Sequence, residues 1–268
     1  MGMKMAFIGG GNMGEAMLSA LLAKGLGTPS DVSVSDVSKA RCQHLQQNYG
    51  VVVMEDNRQA VTGSDIVVLA VKPQNLSEVM AGLKGQLKST QLVLSIIAGA
   101  RIDTLRWGLE HNCLVRAMPN TPARIGEGIT VWTATTEVTG AQKSFAGSIL
   151  GAMGKEIYVA DEKYLDMVTA VSGSGPAYFF LMVEALVDAA VHIGLPQDVA
   201  EELVVQTMLG SGRLIQTSGK APAELRRMVT SPGGTTAEAL HELEKGEFAA
   251  LIKRAVSAAY NKAKQLGG

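Results

Sequence analysis

The chain has 268 residues, 47% apolar and 18% charged, the balance of a globular protein, which excludes a disordered or fibrous one. Its 24 Lys and Arg against 25 Asp and Glu leave a net charge of -1, so it has no general electrostatic footprint for nucleic acid or an anionic membrane. Any phosphate-bearing ligand must be held by local geometry. Cys42 and Cys113 stand far apart in no metal-like or CxxC spacing, so they read as structural, no metal site is expected, and the pattern fits a reducing cytoplasm.

From the amino terminus, residues 1–5 lead at once into a short apolar run at 5–8 rather than into a long signal-peptide core. The glycine loop Gly9-Gly10-Gly11-Asn12-Met13-Gly14 follows, and residues 15–24 have helical periodicity that ends near Gly25 and Gly27. A helical segment is expected over 39–48. Apolar runs recur at 32–35, 51–53, 66–71, 92–97 and 114–117. They are short, rich in β-branched residues and separated by helix-compatible stretches, as in a parallel sheet covered by helices on both faces. Beyond about residue 160 the pattern changes. Residues 176–193 are apolar almost all round, which predicts a helix buried on more than one side, and 197–217, 222–228, 236–245 and 248–266 add further helices.

The expected architecture is a doubly wound α/β domain of the Rossmann type over 1–160, followed by an all-α dimerisation and substrate domain over 161–268. A helix bundle of roughly a hundred residues has little interior to spare, so its long apolar helix is expected to be sheltered by a second subunit, in a dimer at least. The longest uncharged run, 167–183, contains Gly173, Gly175 and Pro176 and reads poorly as a membrane span, so a soluble protein is expected.

In the glycine loop, Gly9 is expected to permit the tight turn, Gly11 to admit a pyrophosphate close to the backbone, and Gly14 to let the helix pack on the strand. Free N–H groups at that helix start face the phosphates, with the positive end of the helix dipole behind them. GxGxxG alone is weak. Here it follows a strand, opens a helix and lies within a βαβ unit, which makes Gly9, Gly11, Asn12, Met13 and Gly14 cofactor-binding candidates. Asp36, at the end of the second strand, suits the ribose hydroxyls of NAD, whereas Ser35, Ser38, Lys39 and Arg41 lie close enough to satisfy a 2′-phosphate. A plain helix cap is the alternative role for Asp36. The expected cofactor is therefore NADP(H) or NAD(H).

Further segments occur in order: Ala70-Val71-Lys72-Pro73, Arg116-Ala117-Met118-Pro119-Asn120-Thr121-Pro122, Val171-Ser172-Gly173-Ser174-Gly175-Pro176-Ala177-Tyr178 and Ser231-Pro232-Gly233-Gly234-Thr235-Thr236. With Phe7-Ile8 and the glycine loop they resemble the pyrroline-5-carboxylate reductase family through nearly the whole chain. The resemblance implies reduction of 1-pyrroline-5-carboxylate to L-proline by NAD(P)H, the last step of proline biosynthesis, in a cytoplasmic homo-oligomer that is a dimer or a ring of dimers. It places Asn57, Ala70, Lys72, Pro73, Ile97 and Ala98 beside the cofactor. A solvated loop lysine is the alternative for Lys72, a helix cap for Asn57, and a purely structural turn for Met118 to Pro122.

Pro232, Gly233 and Gly234 predict a loop, and Thr235-Thr236-Ala237-Glu238 fits a capping box, with Glu238 three residues after Thr235. Such a junction leaves amides pointing outward at a helix start, where a small carboxylate can sit; a capped helix with no ligand is the alternative. The resemblance implies that this loop holds the substrate carboxylate and reaches the active site from the partner subunit. Ser231, Gly233, Gly234, Thr235 and Thr236 are then substrate-binding candidates, with Thr169 and Glu162 as further ones, and Thr236 is the expected catalytic hydroxyl. Gly219, Met228 and Thr235 stand where other members carry different side chains. Ketone reduction normally needs a proton donor, and related β-hydroxyacid dehydrogenases carry a lysine on the first long helix of the helical domain. Residues 176–185 hold no Lys or His. A cyclic imine protonated by solvent needs mainly to be positioned, which disfavours an alcohol-forming reaction. His44, His111, His192 and His241 lie outside every motif and read as structural, while Ser172 and Ser174 read as caps of the helix from Pro176. Two other functions stay open: a reductase of another small imine or keto acid, and a non-catalytic NAD(P)-sensing protein. The 231–236 loop argues against the second.

Overall fold

A computed structural model describes residues 2–267; Met1 and Gly268, which bound the two expected domains, lie outside them. Strand and helix alternate through β1 (Met5–Ile8), α1 (Asn12–Ala23), β2 (Val32–Ser35), α2 (Lys39–Tyr49), β3 (Val52–Val53), α3 (Asn57–Val61), β4 (Ile66–Leu69), α4 (Leu76–Leu83), β5 (Leu92–Ser95), α5 (Ile102–Leu109) and β6 (Leu114–Met118). β7 (Gly128–Ala134), α6 (Gly140–Ala152) and β8 (Gly154–Tyr158) complete the sheet. Helices α7 (Lys163–Val168), α8 (Gly175–His192), α9 (Gln197–Ser218), α10 (Pro222–Met228), α11 (Thr235–Lys245) and α12 (Phe248–Leu266) follow.

The sheet runs β3-β2-β1-β4-β5-β6-β7-β8, the doubly wound order, with its reversal between β1 and β4. It is parallel as far as β6; β7 then runs antiparallel to β6 and parallel to β8. β1, β4 and β5 are buried at every position because helices cover both faces, which is why they read as continuous apolar runs. Successive residues enter opposite layers. Phe7, Val34, Val68 and Leu94 pack with Leu18 and Leu21 of α1 and Ile149 of α6. Ala6, Ile8, Val67 and Leu69 pack with Val79 and Leu83 of α4 and Leu105 of α5.

β7 and β8 lie outside the expected strand series. β7 interleaves the buried polar residues Thr130 and Thr133 with its apolar ones, and in β8 the large apolar residues Ile157 and Tyr158 are exposed, so neither presents a plain apolar run.

The chain folds as two compact units: one reaches Ser174 and includes Ala259 onward, and the other is Gly175–Ala258. The last turn of α12 returns to the first unit at Gly99, where a Cβ would stand 2.9 Å from Leu266. The expected break of the helical run at Gly173, Gly175 and Pro176 does not occur. A π-turn, Thr169–Gly173, joins α7 to α8, so that Lys163–His192 is long and apolar enough to cross a membrane by length and composition. Ser172 is accordingly no helix cap; its hydroxyl donates to the Val168 carbonyl at 3.2 Å, and the Ser174 amide to that of Thr169 at 2.8 Å. Nor is α8 buried within one chain, because Phe179, Phe180 and Leu181 are 62%, 65% and 65% exposed.

Candidate active site

The chain leaves β1 at Gly9 with φ +97°, and a Cβ there would stand 2.8 Å from the Ala70 carbonyl. Only glycine satisfies both conditions. At Gly14 a Cβ would meet the Gly9 carbonyl oxygen at 2.6 Å, so its absence lets α1 approach β1 and β4. Gly11 has an ordinary φ of -65° and nothing within 4 Å of a Cβ; here the missing side chain leaves open space before α1. Gly11 is the N-cap of α1 and no side chain caps that helix, so its first amides lack a side-chain partner.

This loop opens on a cleft of about 740 Å³ at the carboxyl ends of β1, β2 and β4, beside the reversal of strand order. Gly9, Gly11, Asp36, Asn57, Ala70 and Lys72 line it together. Asn12 and Met13 instead form the first turn of α1, Pro73 opens a short 3-10 turn, and Ile97 and Ala98 follow β5 outside the cleft wall, Ile97 being buried. Ser35, Ser38 and Arg41, named for a 2′-phosphate, line the cleft as well, and so do Arg58 and, from α4, Glu78 and Val79, which no motif singled out.

Asp36 accepts the Gly10 amide at 2.7 Å and the Ser38 amide at 2.8 Å, tying the end of β2 to the glycine loop. The cap of α2 is Ser38, and that of α3 is Asp56, which accepts the Arg58 amide at 2.8 Å; neither Asp36 nor Asn57 is a helix cap. Arg41 donates from Nε to the Gly10 carbonyl and from its terminal nitrogen to Glu15. Glu15 also accepts from Tyr49 at 3.0 Å and pairs with His44 at 2.9 Å. Burial pushes the Glu15 carboxyl upward, but the hydrogen bonds from Arg41, His44 and Tyr49 outweigh it and hold the group below the usual carboxylate range.

Midway along β6, the buried Arg116 pairs with Glu162 at 2.8 Å and Asp166 at 2.9 Å, and Arg101 lies 3.8 Å from Asp166. Glu162 further accepts the Ile102 amide at 2.8 Å, so its carboxylate is committed to joining α7 to β6 and α5. Two residues beyond Arg116, a Cβ at Gly173 would stand 2.7 Å from the Met118 methyl, which brings the segments around Met118 and Gly173 into contact. Thr169 opens the π-turn and donates to the Leu165 carbonyl at 2.7 Å. Arg116 lay inside an apolar run, and a charge in that setting is the signal that marks a buried ion pair.

In the second unit, the Gly234 amide donates to the Ser231 carbonyl at 3.0 Å, with Pro232 second in the turn and Gly233 third at φ +68°, as a type II turn requires. The expected capping box does not form. Gly234 itself is the N-cap, Thr235 is the first helical residue, and no side chain caps α11. A Cβ on Gly234 would lie 2.5 Å from the Ser231 hydroxyl. The first-turn amides, those of Thr235 and Thr236 among them, are therefore left without a side-chain cap.

Residues 162–266 match the family model described as pyrroline-5-carboxylate reductase dimerisation, and residues 4–99 the one described as NADP oxidoreductase coenzyme F420-dependent. The chain is 42% identical to the pyrroline-5-carboxylate reductase of Synechocystis sp. over 267 residues, covering 100% of this chain and 99% of the relative. The solved pyrroline-5-carboxylate reductase of Coxiella burnetii is 39% identical with a TM-score of 0.90, covering 99% of each chain. The Plasmodium falciparum pyrroline carboxylate reductase, solved with NADP bound, is 33% identical with a TM-score of 0.90 over 99% of this chain and 98% of that one. These matches run the length of both units, and the chain belongs to the pyrroline-5-carboxylate reductase family.

Proposed function

We propose that the protein reduces 1-pyrroline-5-carboxylate to L-proline by hydride transfer from a nicotinamide dinucleotide, as a homodimer or a ring of dimers in the cytoplasm, with residues 1–160 holding the nucleotide and 161–268 the substrate and the subunit contact. The observation that carries the reading is the second glycine-capped helix start. α11 has Gly234 as its N-cap and no side chain on its first amides, which suits a small carboxylate in the way α1, capped by Gly11, suits a pyrophosphate.

The fit of the cleft to a dinucleotide rests on the open space at Gly11 and the backbone approach at Gly9. Gly9, Gly11, Asn12, Met13 and Gly14 hold the phosphates, with Asn57, Ala70, Lys72, Pro73, Ile97 and Ala98 along the rest of the ligand. NADPH is the preferred form, on the match of residues 4–99 to an NADP oxidoreductase model and on the Plasmodium falciparum relative solved with NADP bound, and Ser38 and Arg41 stand in the cleft at the end of β2 to meet its 2′-phosphate. When bound, the nicotinamide supplies the hydride. Ser231, Gly233, Gly234 and Thr235 of a second copy hold the substrate carboxylate, and Thr236 orients the imine nitrogen through its hydroxyl. Solvent supplies the iminium proton, so residues 176–185 need no general acid. Thr169 shapes the pocket wall, with Glu162 acting behind it through Arg116.

Purified protein is expected to oxidise NADPH, followed by absorbance, on addition of 1-pyrroline-5-carboxylate and not with keto acids; the reverse selectivity overturns the assignment. Thr236→Ala is expected to lower kcat by about a hundredfold with little change in NADPH affinity. Equal losses in both would remove Thr236 from the reacting centre.

A further inference from the structure

Arg41 lines the nucleotide cleft together with Asp36 and Ser38, at the end of β2 where a dinucleotide presents its adenosine ribose. An arginine there is a natural partner for a 2′-phosphate. This one is already engaged. Its Nε is anchored on the Gly10 carbonyl and its terminal nitrogen on Glu15, a carboxylate only 20% exposed that Tyr49 and His44 also hold in place. Glu15 thus places a fixed negative charge against the guanidinium. Arg58 and Lys72, which share the cleft wall, form no ion pair among the described residues.

We propose that Glu15 sets how strongly the cleft discriminates in favour of a 2′-phosphorylated nucleotide, by neutralising the charge of Arg41; this rests on the dinucleotide reading given above. A partly exposed pair transmits a modest interaction, so the discrimination is held back by about fivefold relative to an unopposed arginine. Glu15→Gln is close to isosteric: it removes the charge while the Gly10 carbonyl still anchors Nε.

Calorimetric titration with 2′,5′-ADP and 5′-AMP, which differ only in the 2′-phosphate, tests the proposal without turnover. Glu15→Gln is expected to tighten 2′,5′-ADP about fivefold and to change 5′-AMP less than about twofold. Arg41→Met in the native background is expected to weaken 2′,5′-ADP by less than about twofold, and the double variant to lose the gain of Glu15→Gln. Parallel shifts for both nucleotides, or a tenfold or larger loss in Arg41→Met alone, overturn the proposal. The Arg41→Met arm decides even where Glu15→Gln fails to fold. Wild-type protein that binds neither nucleotide removes the dinucleotide reading and this proposal with it, whereas wild-type binding without the variant effects removes this proposal alone.

Discussion

Gly9 cannot be replaced by any residue that bears a Cβ, since its φ of +97° and the Ala70 carbonyl 2.8 Å away oppose one independently. Gly9→Ala is expected to cost about 2–4 kcal/mol and to abolish nucleotide binding, as read by denaturant unfolding and by titration with NADPH. A wild-type midpoint and affinity would show the turn to be adaptable. Glu15 carries the pH dependence of the same region. Its carboxyl is held below the ordinary range in the folded protein, so its contribution to stability is complete above the unfolded value of about 4.5 and is lost as the pH falls through the lower folded value. The stability gap between wild type and Glu15→Gln, of order 1 kcal/mol or less, is therefore expected to close as denaturation is repeated from neutral pH down to about pH 4 and below. A gap that widens on acidification contradicts the pairing. The glycine positions were legible in the sequence because a backbone constraint admits one residue type. The pairings were not, since Asp36 reaches Gly10 across 26 residues and Arg116 reaches Asp166 across 50, and no local pattern encodes which carboxylate finds which donor.

Elements whose identity rests on burial alone, such as β1, β4 and β5, were readable as apolar runs, whereas elements fixed by neighbours were not. β8 is an edge strand held by β7, and its exposed Lys155 and Glu156 give it no core-facing signature. At α11 the helix starts with Gly234 as its cap because the Ser231 turn claims the preceding residues, displacing the threonine that its sequence suited to the cap. The π-turn between α7 and α8 likewise overrides the helix-breaking tendency of Gly173, whose missing side chain admits Met118. What holds α7 there is Arg116. Arg116→Met leaves Glu162 without its cation and Asp166 with only Arg101, 3.8 Å away, at a largely buried place, and a loss of about 3 kcal/mol or more is expected in thermal and denaturant unfolding. The triple replacement that also removes both carboxylates is expected to recover most of that loss; failure to recover would place the contribution in packing of the arginine stem instead.

On the scale of the whole molecule, the second unit is short of an interior. Among the described residues of Gly175–Ala258, the buried hydrophobic side chains are Val187 and Ala200, while Phe179, Phe180, Leu181, Leu203 and Leu214 are each more than half exposed. A helical unit so constituted lacks the buried apolar area that offsets the entropy of ordering it, and that area must come from another chain. The all-round apolarity of residues 176–193 was legible and carried the expectation of a sheltering second subunit, whereas the residues that cover it were not, because no local pattern encodes which surface of a second copy meets it. The protein is accordingly expected to scatter light with at least twice the mass of its 28.1 kDa chain, and its melting temperature to rise with concentration. Phe180→Asp, at a position 65% exposed in the single chain, is expected to shift the mass toward one chain and to lose helical circular dichroism in proportion to the second unit. Because Thr235 and Thr236 sit in that unit, reductase activity should fall with the dimer fraction, while 5′-AMP binding to the first unit persists. A Phe180→Asp protein that stays dimeric with an unchanged melting temperature would show that the exposed face of α8 is not the surface that joins the subunits.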